Sequence, residues 1–232
     1  MINAQLLSRA KTIEENARGL YHVGSTPTEG YWATLDLTAS AAFRQKSGPE
    51  EAFRRAVTFA QMIRWICEGY PDADVFKEVG DGLFVHAADF RTLLELAIAM
   101  DAVACYWDAE VRRDERYPSL ECRVAISYGE CLKLGADYVG GPLDIVARLG
   151  AIRSSGLNCV AIVDSETHLR NESEYERDYP FLRFSESKFA PPHAMKAGEE
   201  KLRFSEILID RVQLRDYSGH FTGLRYALAK EE

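Results

Sequence analysis

The chain has 232 residues and a formal charge of −8, from 28 Lys and Arg against 36 Asp and Glu. Its composition, 47% hydrophobic and 28% charged, is that of a globular chain able to bury a core, which excludes a mostly disordered polymer. The acidic balance also argues against nucleic acid as a partner, because coating it requires a clustered basic face.

Leu6, Leu7, Ala10, Ile13 and Ala17 recur at helical spacing, and Gly24-Ser25-Thr26-Pro27-Thr28 then interrupts. Residues 1–28 are therefore expected to form a helical arm, available for docking or for half of a dimer contact. The chain's first residues lack the basic start and apolar core of a secretory signal. Residues 31–37 have strand composition and bring a carboxylate, Asp36, to the strand end. Pro49-Glu50-Glu51 suits a helix start, with Phe53, Val57, Ala60, Ile63 and Cys67 as its expected buried face. Two short strands, 74–79 and 83–86, flank a tight Gly80-Asp81-Gly82 turn.

An Ala- and Leu-rich helix is expected over 89–110. Its apolar stretch is interrupted by Arg91, Glu95 and Asp101 and falls short of the roughly 18–20 apolar residues a membrane span needs. Alternation of Cys122, Val124 and Ile126 predicts a strand over 120–127, a turn at Tyr128-Gly129-Glu130 and a return strand over 131–134. Pro142 opens a short helix over 143–149, an apolar strand covers 158–163, and Asp164 caps a helix through Arg170. Residues 171–201 are polar and aromatic, and 202–209 and 221–229 are expected to be closing strands. The five cysteines (Cys67, Cys105, Cys122, Cys131, Cys159) show no metal spacing and suit reduced thiols in a cytoplasmic protein.

Helices alternating with antiparallel pairs point to an α/β (α+β) sandwich of the ferredoxin-like kind. In such a sheet the first strand lies beside the Gly80–Gly82 hairpin, so Asp36 and Asp81 converge on one edge. Two hard oxygen ligands, incomplete by themselves, suit Mg²⁺ or Mn²⁺ also held by substrate phosphates. Taken singly, Asp36 is a strand-end cap and Asp81 an ordinary turn residue. Asp144 and Arg148 stand four apart on one helical face, which fits either a surface ion pair or an arginine aimed at a reacting phosphate.

These residues carry a resemblance. The segment Phe76-Lys77-Glu78-Val79-Gly80-Asp81-Gly82 resembles the K-x-x-G-D hairpin of class III nucleotidyl cyclases. Residues 137–149 are similar to their D-x-x-G-x-x-x-N-x-x-A-R-x segment, residues 123–130 to their R-I-G-I-H-x-G-E hairpin, and Asp164-Ser165-Glu166-Thr167 to the segment after their late strand. The likeness runs in order through about 60% of the chain, and implies a catalytic core over 29–170 with a C-terminal extension over 171–232. It makes Asp36, Asp81 and the Leu37 carbonyl the ligands of two divalent cations, Mn²⁺ or Mg²⁺. Lys77 and Asp137 become the base-reading pair, and Arg148 the arginine of the transition state. Asp144 stands where the family has an asparagine that orients ribose and phosphate. Lys196, or in its place Lys188 or Lys201, matches a phosphate-binding lysine.

The resemblance further implies a head-to-tail homodimer with shared active sites, turning a nucleoside triphosphate into a 3′,5′-cyclic nucleotide and pyrophosphate. Asp36-Leu37-Thr38-Ala39-Ser40-Ala41-Ala42-Phe43 departs from the family's D-I-x-G-F-T start, and Asp144 replaces an amide with a carboxylate that cannot donate. Lys77 with Asp137 favours ATP, whereas the short divergent architecture is similar to the pyrimidine cyclases of bacterial antiphage systems, making cyclic UMP or cyclic CMP for a separate effector protein. The bulky Trp32, Phe43, Phe76 and Tyr138 are candidates to narrow a pyrimidine pocket, or are core packing. The preferred expectation is a UTP or CTP cyclase, with adenylate cyclase as the alternative. A GGDEF-like or polymerase-palm enzyme lacks its diagnostic turn here, and a degenerate cyclase-like module is expected to lose Asp36, Asp81 or Arg148.

Overall fold

The computed structural model describes residues 9, 11–13, 15–16, 25–108, 119–154, 159–194 and 201–210. Strand β1 (Ser25–Leu37) is the longest-paired element, with β3 (Gly82–Ala87) on one side and β4 (Cys122–Leu134) on the other. Its alternating residues Tyr31, Ala33, Leu35 and Leu37 enter one core layer, while Trp32 and Thr34 enter the opposite one. A strand covered on both faces reads as a continuous apolar run, which is why 31–37 is legible as a strand. The expected break at Thr26-Pro27-Thr28 is instead part of this strand: Pro27 lies opposite Leu132 in the ladder. Of the arm, residues 9, 11–13 and 15–16 are helical.

Helix α1 (Ser40–Cys67) begins nine residues ahead of Pro49 and breaks at Gly48, whose φ of 88° suits glycine. Proline cannot continue the hydrogen-bond ladder behind it, so the break sits where the sequence marks a helix start. Its buried side chains are Arg55, Phe59, Ile63, Ile66 and Cys67; Phe53 and Val57, expected in the core, are exposed. The hairpin β2 (Asp74–Val79) and β3 (Gly82–Ala87) turns at Gly80, φ 65°. Helix α2 (Phe90–Tyr106) is capped by the Asp89 carboxylate, which accepts from the Arg91 N–H. Its leucines and alanines from Leu93 to Met100 are almost wholly buried, as the length and apolarity of the segment require.

The second structural correction concerns β4 (Cys122–Leu134). It runs unbroken through the predicted Tyr128-Gly129-Glu130 turn, paired with β1 along its whole length. Gly129 lies opposite Gly30 there. The chain turns at Gly135-Ala136 instead, and returns as β5 (Asp137–Val139). Helix α3 (Gly141–Gly150), strand β6 (Cys159–Asp164) and helix α4 (Ser165–Asp178) follow. Asp164 caps α4 as expected, its carboxylate accepting from the Glu166 and Thr167 N–H groups, but α4 continues past Arg170. Short strands β7 (Leu182–Phe184) and β8 (Lys188–Phe189) precede β9 (Arg203–Ile209). The second expected closing strand, 221–229, lies outside the described residues.

The sheet order is β2-β3-β1-β4-β6-β9-β7, antiparallel except between β4 and β6. Phe59, Ile63, Leu93, Leu94, Tyr175 and Phe181 join the larger core on one face, and Val146, Leu149 and Phe204 a smaller one on the other. This is the mixed α/β sandwich expected from the sequence. β1 lies inside it, flanked by the hairpin that carries Asp81. Among the described residues no helix is long and apolar enough to cross a membrane.

Candidate active site

Asp36 is the penultimate residue of β1. In the ladder it faces Gly82 of β3 on one side and Arg123 of β4 on the other. The Gly80-Asp81 turn therefore comes directly alongside, and the Leu37 N–H reaches the Asp81 carbonyl at 3.5 Å. Gly82 has a steric role here: a Cβ on it would stand 3.2 Å from Asp36 Oδ1. The Asp36 carboxyl is pushed above its ordinary range, first by burial and then by the charge of Asp81, with Arg123 opposing both. Asp81 Oδ2 is buried with no hydrogen-bond partner among the described residues. A buried carboxylate oxygen with no donor, beside a second carboxylate, offers hard oxygen ligands of the kind a divalent ion takes. Among the described residues no group of three or more His, Cys, Asp or Glu side chains is placed to hold a metal ion. Any ion at Asp36 and Asp81 must draw further oxygens from elsewhere. The nearby Leu37 carbonyl already accepts from Ser40 Oγ at 3.1 Å, which leaves its second lone pair.

Lys77 and Asp137 meet although 60 residues separate them: Lys77 Nζ donates to Asp137 Oδ2 at 2.5 Å. That hydrogen bond, with a second from the Tyr138 N–H, holds the Asp137 carboxyl below the usual carboxylate range. Beside them Trp32, Phe76 and Tyr138 pack edge to face, with ring centroids 4.8–5.7 Å apart. Tyr138 is 6% exposed and Trp32 wholly buried, with the indole N–H on the Gly129 carbonyl, so the rings form a small core next in sequence to Lys77 and Asp137. Phe43 is not among them. It lines a separate cavity of about 250 Å³ with Leu37, Arg44 and Asp81, under the Arg55 guanidinium, because the 40–47 segment of α1 carries it to the metal-pair end.

Arg148 is half-buried on α3, and its Nε lies 3.3 Å from Asp144 Oδ2. The intrahelical pair expected from the spacing is thus formed. Of the three candidate lysines, Lys196 lies outside the described residues. Lys188 donates to the buried Glu206 carboxylate at 2.7 Å, and Lys201 stands over the Phe189 ring. Lys188 is thereby engaged in the β8–β9 pairing.

The residue that sequence reasoning missed is Arg123, whose Nη2 donates to Asp36 Oδ2 at 2.7 Å. The signal that finds it is register: once β4 is one continuous strand, Arg123 falls opposite Asp36.

No family model and no curated protein matches the chain. Solved structures do. The adenylyl cyclase CyaB from P. aeruginosa superposes with a TM-score of 0.63 at 16% identity, over 82% of this chain and 98% of that one. The adenylate/guanylate cyclase/hydrolase from Silicibacter pomeroyi gives 0.60 at 14% identity, over 81% of this chain and all of that one. The guanylyl cyclase domain of the RhoGC fusion protein from the aquatic fungus Blastocladiella emersonii gives 0.56 at 10%, over 80% and 97%. The fold is that of the class III cyclase catalytic domain. In this cyclase fold Asp36, Asp81, Lys77 and Asp137 all lie at or beside the β2–β3 hairpin, while Arg148 projects from α3.

Proposed function

We propose that the chain is a class III nucleotidyl cyclase, converting a nucleoside triphosphate to a 3′,5′-cyclic nucleotide and pyrophosphate. The observation that carries the reading is the paired Asp36 and Asp81 carboxylates, one crowding the other and the second with a buried oxygen unpaired. Asp36, Asp81 and the Leu37 carbonyl would hold Mn²⁺ or Mg²⁺. Such ions supply Lewis-acid chemistry, lowering the pKa of the ribose 3′-hydroxyl and offsetting phosphate charge. The chain's own residues do the rest. Lys77 and Asp137 offer a donor and an acceptor to a base edge, next to the packed Trp32, Phe76 and Tyr138 rings. Arg148, with its fork of donors, neutralises charge on the reacting phosphate as the 3′-oxygen attacks and pyrophosphate departs. Asp144 holds the Arg148 side chain from one helical turn away.

Two carboxylates on one face and an arginine on another helix suit a site completed by a second copy, so the active form is a head-to-tail homodimer. The exposed Leu134 and Val139 on the β4–β5 arm supply apolar surface for such a contact. The favoured substrate is a pyrimidine triphosphate, UTP or CTP, with the product read by a separate effector in antiphage defence. Closure of Lys77 directly onto Asp137 next to tightly packed rings favours a small base. ATP is the second reading, supported by the donor–acceptor pair itself.

Asp36→Ala and Asp81→Ala should each abolish Mn²⁺-dependent turnover in protein that remains folded by circular dichroism. Full activity in Asp36→Ala would contradict the two-ion assignment. Arg148→Ala should lower kcat by about 10²-fold or more with little change in KM.

A further inference from the structure

The Asp36–Arg123 contact has no part in the chemistry above, yet it occupies one of the oxygens on which that chemistry depends. We propose that Arg123 is the resident counter-cation of the carboxylate pair, leaving one edge of Asp36 open to a first divalent ion and yielding the other only to a second. The inference rests on the two-ion reading of Asp36 and Asp81.

The two oxygens of Asp36 stand in different surroundings. Oδ1 faces the place where Gly82 has no side chain, 3.2 Å from where its Cβ would be. Oδ2 accepts from Arg123 Nη2 at 2.7 Å across the β1–β4 ladder. Asp81 adds its buried, unpaired Oδ2. An ion held by Asp81 and the Asp36 oxygen outside the ion pair would leave Arg123 undisturbed, whereas a further ion drawing on Asp36 would compete for the oxygen that the guanidinium holds.

The hold is of the kind that can be released. A guanidinium has five donors and binds a carboxylate most strongly through two parallel bonds. Here one contact is made, and Arg123 Nε is buried without a hydrogen-bond partner among the described residues. Arg123 lines a cavity of about 600 Å³ shared with Asp101, Asp108 and Glu121, which neither Asp36 nor Asp81 lines. With that Asp36 oxygen given up to an ion, the guanidinium would keep the carboxylates of this cavity in its surroundings. An ordinary cross-strand ion pair between β1 and β4 accounts for the 2.7 Å contact alone, but not for two half-satisfied groups sharing one carboxylate.

The test is Mn²⁺ alone, titrated into the full-length protein without nucleotide and followed by the electron paramagnetic resonance signal of the free ion. Wild type should show a tighter and a weaker class of site, both lost in Asp81→Asn. Arg123→Met should leave the tighter class in place and strengthen the weaker about tenfold or more, the effect of removing one charge-assisted competitor. Metal-free Arg123→Met should also melt below wild type, and saturating Mn²⁺ should raise its Tm by more than it raises that of wild type. Arg123→Lys, which keeps the charge but not the planar fork, should move the weaker class in the same direction by less, and it stands in if Arg123→Met fails to fold. An unchanged or weakened second class in both variants would overturn the counter-cation role while leaving the two-ion reading intact. Mn²⁺ uptake that Asp81→Asn does not reduce would overturn the two-ion reading itself.

Discussion

At the scale of single residues, the recurring device is a charged or polar group whose partner comes from a distant strand. Lys77 meets Asp137, Asp36 meets Arg123, and Tyr31 Oη donates to Asn171 across 140 residues of sequence. The cysteines work oppositely, by having little polar company. Burial pushes the Cys67 thiol up to about 12 and the Cys131 thiol up to about 11, from an ordinary 9.0. Since the folded state keeps these protons longer than the unfolded chain, their contribution to stability is complete below pH 9.0 and is lost as pH rises toward 12. At pH 8 iodoacetamide should therefore label Cys67 and Cys131 far more slowly in native protein than in denaturant, by peptide mass spectrometry. Equal rates in both states would contradict the packing described here.

At the scale of elements, the register of β1 against β4 decides most of the site. Gly30 and Gly129 face each other there because side chains press on both. A Cβ on Gly30 would lie 2.5 Å from His86 Nε2, and one on Gly129 2.8 Å from Pro142 Cγ. Gly129 also holds φ at 146°, which a substituted residue rarely adopts. Gly129→Ala should cost about 2 kcal/mol or more in urea denaturation, an overpacking penalty with backbone strain added. A change within experimental error would mean that α3 does not close onto β4 as described. This element also explains what was legible in the sequence. The strand order around β1 followed from alternation and turn signals, so the approach of Asp36 to Asp81 was expected before any coordinates. Tyr128-Gly129-Glu130 carries a turn signal that the tertiary structure overrides, since pairing with β1, the Thr167 hydroxyl and the Trp32 indole take up backbone groups that a turn would leave open. With a turn expected there, the continuous pairing that sets Arg123 beside Asp36 was not legible. Phe43 lies apart from Trp32, Phe76 and Tyr138 for a related reason: the path of the 40–47 segment, which the sequence does not fix, sets which end of the site the ring reaches.

At the scale of the whole molecule, the carboxylate pair and Arg148 stand on different elements, and the proposed homodimer brings one copy's pair to the other's arginine. Mixing Asp36→Ala with Arg148→Ala should then restore activity that neither has alone. Random exchange gives half heterodimers, each with one intact site, or about a quarter of wild-type specific activity. Failure to recover activity after verified subunit exchange would place both sets of residues in one subunit's site. The formal charge of −8 acquires a meaning at this scale on the proposed function, because part of it sits in Asp36 and Asp81, where a triphosphate would then bind only together with its cations. The central claim is tested most directly by incubating the purified protein with each of the four nucleoside triphosphates and Mn²⁺ and resolving products by mass spectrometry. A 3′,5′-cyclic nucleotide with pyrophosphate, formed fastest from UTP or CTP and absent in Asp81→Ala, is the predicted result; no cyclic product from any of the four, in folded dimeric protein, would contradict it.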